Sequence, residues 1–208
     1  MAGIIYLVDD DAAVRDATTR LLRHAGHRVK CFAGGVAFLA TSLPAAPACI
    51  LLDVRMPGLS GIEVLRAFRE RGHTTPVIFI SAHGDIPLAV EAMKEGAFDF
   101  IEKPYDPETL FAAIGRAARA PSGTGGVPGI DGDARGIVDG LPRRQREVLR
   151  GIVQGKANKL IAYELGLSVR TVEAYRAQLQ AQLGVRGSAE LVKLGLAAGI
   201  DREESARL

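Results

Sequence analysis

Two short runs in the chain, Cys49-Ile50-Leu51-Leu52 and Val77-Ile78-Phe79-Ile80, are apolar at every position. A strand with one wet face alternates polar and apolar residues. A strand apolar throughout has to be covered on both faces, which is the situation of a parallel sheet held between two layers of helices. Around these two runs, Ile4–Val8, Val29–Phe32, Ala48–Leu52, Val77–Ile80 and Phe98–Ile101 read as five strands. Helical periodicity is found over about 12–37, 60–71, 86–95 and 107–119, with a shorter helix over Gly34–Leu43 after the second strand. Such alternation predicts a doubly wound α/β domain, whose functional groups gather at the carboxyl ends of the strands.

The alternation stops at 120–135, where the chain reads Ala-Pro-Ser-Gly-Thr-Gly-Gly-Val-Pro-Gly-Ile-Asp-Gly-Asp-Ala-Arg. Almost nothing there can be buried, so the segment predicts a flexible linker. Beyond it the pattern is helical only, over roughly 142–154, 157–164, 168–183 and 187–198. Gly155, Gly166 and Gly184 punctuate these helices near their ends, where a left-handed residue is wanted. The expected organisation is therefore a domain over 1–119, a linker over 120–135 and a helical domain over 136–208.

Charge follows the same division. Residues 1–135 carry 14 Lys and Arg against 16 Asp and Glu, whereas 136–200 carry 10 against 5. An acidic front and a basic rear suggest different partners, the second of them anionic. The 48% hydrophobic content is enough for real cores and excludes wholesale disorder. No apolar run approaches the ~18–20 residues of a membrane span, and the N-terminus reads as a strand, not a signal peptide. Cys31 and Cys49 show no metal spacing, which favours a reducing cytoplasm.

The strand ends carry the chemistry. Asp9, Asp10 and Asp11 follow the first strand, Asp53 ends the third, Ser81 ends the fourth, and Lys103-Pro104 follows the fifth. Carboxylates are hard ligands for Mg²⁺, one Asp can be a nucleophile toward phosphorus, and a lysine and a hydroxyl can stabilise phosphoryl oxygens. Leu7-Val8-Asp9-Asp10-Asp11, Leu51-Leu52-Asp53-Val54-Arg55-Met56-Pro57-Gly58-Leu59-Ser60-Gly61, Ile80-Ser81-Ala82 and Phe100-Ile101-Glu102-Lys103-Pro104 occur in the order and spacing of the receiver domains of two-component response regulators. Residues 3–119 resemble that family throughout.

The resemblance implies a flavodoxin-like (βα)5 fold with strand order 2-1-3-4-5. It implies that Asp53 is the phosphoacceptor, supplied by the phosphohistidine of a sensor histidine kinase. Mg²⁺ would be held by Asp10 and Asp53, by Asp9 through water, and by the backbone carbonyl of Arg55. Lys103 and Ser81 would contact the phosphoryl group, and Phe100 would be the aromatic that turns inward when Ser81 moves. Lys103-Pro104 matches a peptide bond usually cis in the family. Asp11 matches a position commonly acidic without being a principal ligand. His83 reads as a solvated loop histidine, and with the first strand between those of Cys31 and Cys49 no disulfide is expected.

In the rear half, two short helices joined by a tight turn at Gly166 resemble a helix-turn-helix, with Ser168 as N-cap of the second. That helix sets Val172, Leu179 and Leu183 at core spacing, with Tyr175 or Arg176 alongside. Arg170, Glu173, Ala174, Ala177, Gln178 and Ala181 form one polar or small face suited to a major groove. Lys156, Lys159, Arg170, Thr171 and Arg176 are candidate phosphate contacts. Asn158-Lys159, Ile161-Ala162, Leu165 and Arg170-Thr171-Val172-Glu173 resemble the four-helix LuxR-type DNA-binding domain of NarL/FixJ regulators, and the run Ser81–Gly96 resembles the FixJ branch. Gln145, Tyr175 and Gln182 depart from the family's common Glu, His and Lys.

The two resemblances together imply a phosphorylation-controlled transcription regulator, an activator by analogy with its branch, and not an enzyme in its own right. The expected partners are a sensor histidine kinase, double-stranded DNA with a pseudo-palindromic operator, RNA polymerase, and a second copy of the chain when phosphorylated. Dimerisation is expected through the face that includes Val90 and Lys94, and through the last helix with Leu191, Val192 and Gly195. The last helix could equally serve only to close its own four-helix core. Whether phosphorylation acts by dimerisation or by uncovering the DNA-binding surface stays open. The enzymatic alternative is a Mg²⁺-dependent phosphohydrolase. Many of these place a second Asp two residues after the nucleophile, and here that position is Arg55.

Overall fold

β1 (Ile4–Val8), β2 (Arg28–Phe32), β3 (Cys49–Asp53), β4 (Val77–Ser81) and β5 (Asp99–Glu102) form one sheet, ordered β2-β1-β3-β4-β5, with every pairing parallel. This is the doubly wound order implied by the sequence. The structure is a computed structural model that describes residues 4–41, 47–82, 86–120, 133–185 and 187–200. The chain divides into two compact units, residues 1–83 with 94–125 and residues 84–93 with 126–208.

β3 and β4 are buried at every residue, as their unbroken apolar runs require. β2 lies at an edge and carries Arg28 and Lys30, charges that discourage pairing with another sheet. Helices α1 (Ala12–His24), α2 (Gly35–Leu39), α3 (Gly61–Glu70), α4 (Ile86–Lys94) and α5 (Pro107–Arg119) follow the strands in turn. The helical reading of 12–37 is corrected here. The chain turns at Gly26, with φ +84°, and then pairs Val29 and Cys31 with Ile5 and Leu7 of β1. Val29–Phe32 is thus the strand expected of it, and the helical range is in error only in running past His24 into β2. The helix expected over Gly34–Leu43 is α2, and Leu43 and His83 lie outside the described residues.

Polar caps set where these helices start. Asp11 caps α1 by accepting from the N–H groups of Ala13 and Val14. Ser60 and Glu63 form a reciprocal capping box on α3, and Asp106 caps α5 ahead of Pro107. One side of the sheet buries Ile5, Leu7, Leu51, Ile78 and Ile80 against Leu22 of α1 and Leu110, Ala113, Ile114 and Ala117 of α5. Cys31 is exposed on β2 and Cys49 buried on β3, both free, with β1 between them. Burial pushes the Cys49 thiol up to about 12, so it is inert packing.

In the second unit, α6 (Ala134–Asp139), α7 (Arg143–Val153), α8 (Asn158–Leu165), α9 (Val169–Leu183) and α10 (Ser188–Ala197) follow one another. α6 was not anticipated. It begins inside the span read as linker because Asp133 caps it, accepting from the N–H of Gly136, and because Val138 is buried. The rest of that span, 121–132, lies outside the described residues. Gly155, Gly166 and Gly184 adopt φ +75°, +64° and +65° at the helix ends expected of them. Val148, Leu149, Ile152, Ile161, Val172, Leu179, Leu191, Val192 and Leu194 are buried. Among the described residues, no helix is long and apolar enough to cross a membrane.

Candidate functional site

The carboxyl ends of β1, β3, β4 and β5 bring Asp9, Asp53, Ser81 and Lys103 together. Lys103 Nζ donates to Asp53 Oδ1 at 2.8 Å and to Asp9 Oδ2 at 2.9 Å. The other oxygen of each carboxylate is also held: Asp53 Oδ2 accepts from the Arg55 N–H at 2.8 Å and Asp9 Oδ1 from the Asp11 N–H at 2.9 Å. Asp9 is 3% exposed and Asp53 8%. Ser81 is buried at the end of β4, and its carbonyl accepts from the Lys103 N–H at 2.7 Å. Phe100 is half-buried on β5, paired with Phe79. Asp10 is exposed beside the cluster, and the Lys103-Pro104 bond is cis.

Several residues that the sequence did not single out build this geometry. Gly61 opens α3 directly behind the Asp53 strand, and its N–H donates to the Val54 carbonyl at 2.9 Å. A Cβ there would stand 2.3 Å from the Asp53 carbonyl oxygen and 2.8 Å from Phe79 Cε1. No side chain fits, so this glycine permits the close approach of helix to strand. Arg15 on α1 donates to the Asp9 carbonyl at 2.7 Å, and Tyr105 shares a hydrogen bond with Thr18 at 3.0 Å. Side chains that bind backbone leave no periodic signal. The position of Tyr105, two residues after Lys103, is the one hint the sequence offers.

Burial, the largest cause, raises the Asp53 carboxyl above its ordinary range, helped by the Asp9 charge and opposed by Lys103 and the Arg55 N–H. Burial also acts to lower Lys103, yet its bonds to Asp53 and Asp9 and their charges prevail and raise it. Lys103 is thus held as an ammonium between two carboxylates. Asp9 and Asp53 face that one ammonium and Asp10 lies exposed next to Asp9 in sequence, so the strand ends offer an acidic, all-oxygen donor set. That suits a hard divalent cation. Each oxygen of Asp9 and Asp53 has a single donor in the bonds above and keeps acceptor capacity. Among the described residues, no three His, Cys, Asp or Glu side chains are already gathered as a metal cage, so Asp10 would have to turn in.

In the second unit, α8 and α9 meet through the left-handed turn at Gly166. Ser168 caps α9, accepting from the Thr171 N–H at 3.0 Å, and its hydroxyl also bonds the Thr171 hydroxyl at 2.7 Å. Val172 and Leu179 point into the core, with Leu183, Tyr175 and Arg176 half-buried. Arg170, Glu173, Ala174, Ala177, Gln178 and Ala181 are all exposed on one face, and Lys159 is exposed on α8. Two candidate phosphate contacts have partners within the domain. Lys156 pairs with Glu164 at 2.7 Å, and Arg176 donates to Asn158 Oδ1 at 2.9 Å, tying α9 to the start of α8.

The residues assigned to dimerisation fall as follows. Val90 is buried and Lys94 exposed on α4. Leu191 and Val192 are fully buried, and a Cβ on Gly195 would lie 2.2 Å from Val153 Cγ2 of α7. The packing of α10 on α7 accounts for these three residues within their own domain.

Comparison with known proteins agrees with the geometry in both halves. Residues 5–115 match the response regulator receiver domain, and residues 139–194 match the bacterial regulatory proteins of the luxR family. The transcriptional regulatory protein FixJ of Azorhizobium caulinodans is 44% identical over 200 residues, covering 94% of this chain and 93% of that protein. FixJ of Bradyrhizobium diazoefficiens is 41% identical over 198 residues, 95% of this chain and 97% of that protein. The response regulator TmoT of Ectopseudomonas mendocina is 42% identical over 193 residues, 92% of this chain and 87% of that protein. Among solved structures, the response regulator StyR is similar with a TM-score of 0.54 and 36% identity, covering 95% of this chain and all of that one (100%). The FixJ-N structure matches 58% of this chain and 97% of its own, with a TM-score of 0.55 and 39% identity.

Proposed function

The chain belongs to the two-component response regulators that join a receiver domain to a LuxR-type DNA-binding domain, and on that premise we propose that phosphorylation of Asp53 switches its binding to DNA. Membership implies a sensor kinase and DNA as partners. The observation that carries the finer reading is the Lys103 ammonium bridging Asp53 and Asp9 at the strand ends.

In the transfer, the P–N bond of the kinase phosphohistidine breaks as Asp53 forms a P–O bond, and the imidazole departs with the electron pair. Asp53 is an anchored nucleophile: Arg55 N–H holds one oxygen and Lys103 the other, so attack needs little reorganisation. Lys103 would move with the incoming phosphoryl oxygens and offset their charge. Bound Mg²⁺, held by Asp10, Asp53, the Arg55 carbonyl and, through water, Asp9, would supply further positive charge to those oxygens. The Ser81 hydroxyl would donate to the phosphoryl group, and Phe100, half-buried two positions along β5 from Glu102, would turn inward into the space Ser81 vacates.

The remodelled face, including Lys94 and an uncovered Val90, would then pair two receivers. The α10 helices would add contacts around Leu191, Val192 and Gly195, through whichever neighbours reach the surface. Pairing sets two α9 helices about one DNA turn apart, matching a pseudo-palindromic operator. Arg170, Glu173, Ala174 and Ala177 would read bases, while Lys156, Lys159, Thr171 and Arg176 hold phosphates or the helices that reach them. The bound dimer would activate transcription in the cytoplasm through RNA polymerase, as the likeness to FixJ suggests.

The test is the solution mass by light scattering, and operator binding, in Mg²⁺ with and without beryllofluoride. Wild type should become dimeric and bind DNA more tightly on adding beryllofluoride, and Asp53→Asn should do neither. DNA binding indifferent to beryllofluoride and to Asp53→Asn would refute the switch. Tighter DNA binding without dimerisation would replace pairing with release of a covered DNA-binding surface.

A further inference from the structure

We propose that α1 is a brace that positions Lys103, acting through Thr18 and the hydroxyl of Tyr105. The Thr18 and Tyr105 hydroxyls share a hydrogen bond of 3.0 Å, and Thr18 is 4% exposed. One turn earlier on the same face of α1, Arg15 donates to the Asp9 carbonyl at 2.7 Å. A single helix face thus grips the segment after β1, which carries Asp9, and the segment after β5, which carries Lys103.

Lys103 then closes the loop by bridging Asp9 and Asp53. Its four-carbon stem is flexible, so the place of the ammonium depends on how firmly its backbone is held. The Lys103 N–H to the Ser81 carbonyl fixes one side, and Tyr105 is the next anchor along the chain. The Tyr105 ring packs against the apolar core on the α1 and α5 side of the sheet. A phenylalanine would pack there as well. What the hydroxyl adds is a directional bond to a buried partner, which fixes the loop's position along α1. Tyr105 and Thr18 are therefore positioning residues for Lys103. Neither touches the phosphoryl group.

This inference rests on the reading of Asp53 as phosphoacceptor. The test compares full-length wild type with the double variant Thr18→Val, Tyr105→Phe. Removing both hydroxyls leaves no unpaired buried group, so the variant should melt like wild type. Phosphorylation by phosphoramidate, in which a P–N bond breaks with ammonia leaving as the P–O bond to Asp53 forms, should slow by about fivefold. Beryllofluoride affinity should fall by a similar factor, while Mg²⁺ affinity, measured alone, should not fall, because a less firmly placed Lys103 ammonium competes no better with the metal for Asp9 and Asp53. A general loosening of the fold would weaken both together, and would overturn the proposal, as would unchanged rate and affinity. Failure of wild type itself to bind beryllofluoride would instead overturn the reading of Asp53.

Discussion

Replacing Lys103 by Met removes one ammonium from between two carboxylates and keeps the length of the side chain. Lys103 donates two charge-assisted bonds, each worth about 1.5–3 kcal/mol net. Its side chain is 19% exposed, which favours the low end, so the pair together amounts to about 3 kcal/mol. A second route reaches the same figure, since breaking a buried ion pair by removing one partner costs about 3–5 kcal/mol. At about 4 °C per kcal/mol for a domain of this size, the receiver transition should fall by roughly 12 °C in chelator at neutral pH.

The pH dependence has a definite sign. The folded pKa of Asp53 is already raised and would rise further without the ammonium, so its ionised form weighs against folding increasingly as pH climbs through that range. Once Asp53 is protonated, its uncompensated charge is gone. The gap between wild type and Lys103→Met should therefore be full at neutral pH and close as pH falls through the carboxylate range. Added Mg²⁺ should narrow it as well. Differential scanning calorimetry of the full chain at neutral and acid pH reads both effects. A shift under about 3 °C at neutral pH, or one that persists undiminished in acid, would refute the reasoning.

Gly61→Ala should destabilise the receiver by about 3 kcal/mol and impair phosphorylation, because neither the Asp53 carbonyl nor the packed Phe79 ring can give way; Gly58→Ala, whose Cβ meets nothing within 4 Å, should cost about 1–2 kcal/mol for its positive φ and serves as the control in denaturant melts. Gly195→Ala should lower the transition of the helical domain, and adding Val153→Ala should recover most of the loss in the same melts, since the clash is with Val153 Cγ2. Ser168→Ala should cost about 1 kcal/mol through the lost cap of α9, and circular dichroism melts would detect it. Lys159→Ala should reduce the salt slope of DNA binding by about one without changing operator preference, whereas Arg170→Ala should relax the preference at one base pair, as fluorescence anisotropy over a salt series would show.

The sheet was legible because Cys49–Leu52 of β3 and Val77–Ile80 of β4 are apolar throughout and because their parallel order forces distant strand ends together. Asp9, Asp53 and Lys103 lie far apart in the chain, yet the carboxyl-end rule alone places them in one pocket. The misreading of 12–37 has an equally physical cause. Val29–Phe32 also reads as a strand, and the helical range runs through it because periodicity does not register the turn at Gly26, whose φ of +84° lies just past the end of α1. α6 was hidden because its cap, Asp133, follows a glycine-rich stretch that dominates local composition. The apolar surplus on α10 leaves interface and core closure both open in the sequence, and the approach of Val153 to Gly195, a contact between helices that no single-helix period encodes, gives the surplus a role within the domain. Likewise Lys156 and Arg176 read as phosphate contacts in one dimension, and their partners emerge only in the fold, Glu164 where α8 folds back beside Lys156 and Asn158 where α9 meets α8.

On α9 just two side chains, Val172 and Leu179, are fully committed to the interior, while six positions from Arg170 to Ala181 face outward on one side. On the proposed reading, in which that outward face meets DNA, stability and address are written on separate letters of the same helix. On that reading a lineage could rewrite those six positions, and so move the regulator to a new set of promoters, without renegotiating the fold that carries them. An engineer can randomise them in one library and lose few members to misfolding.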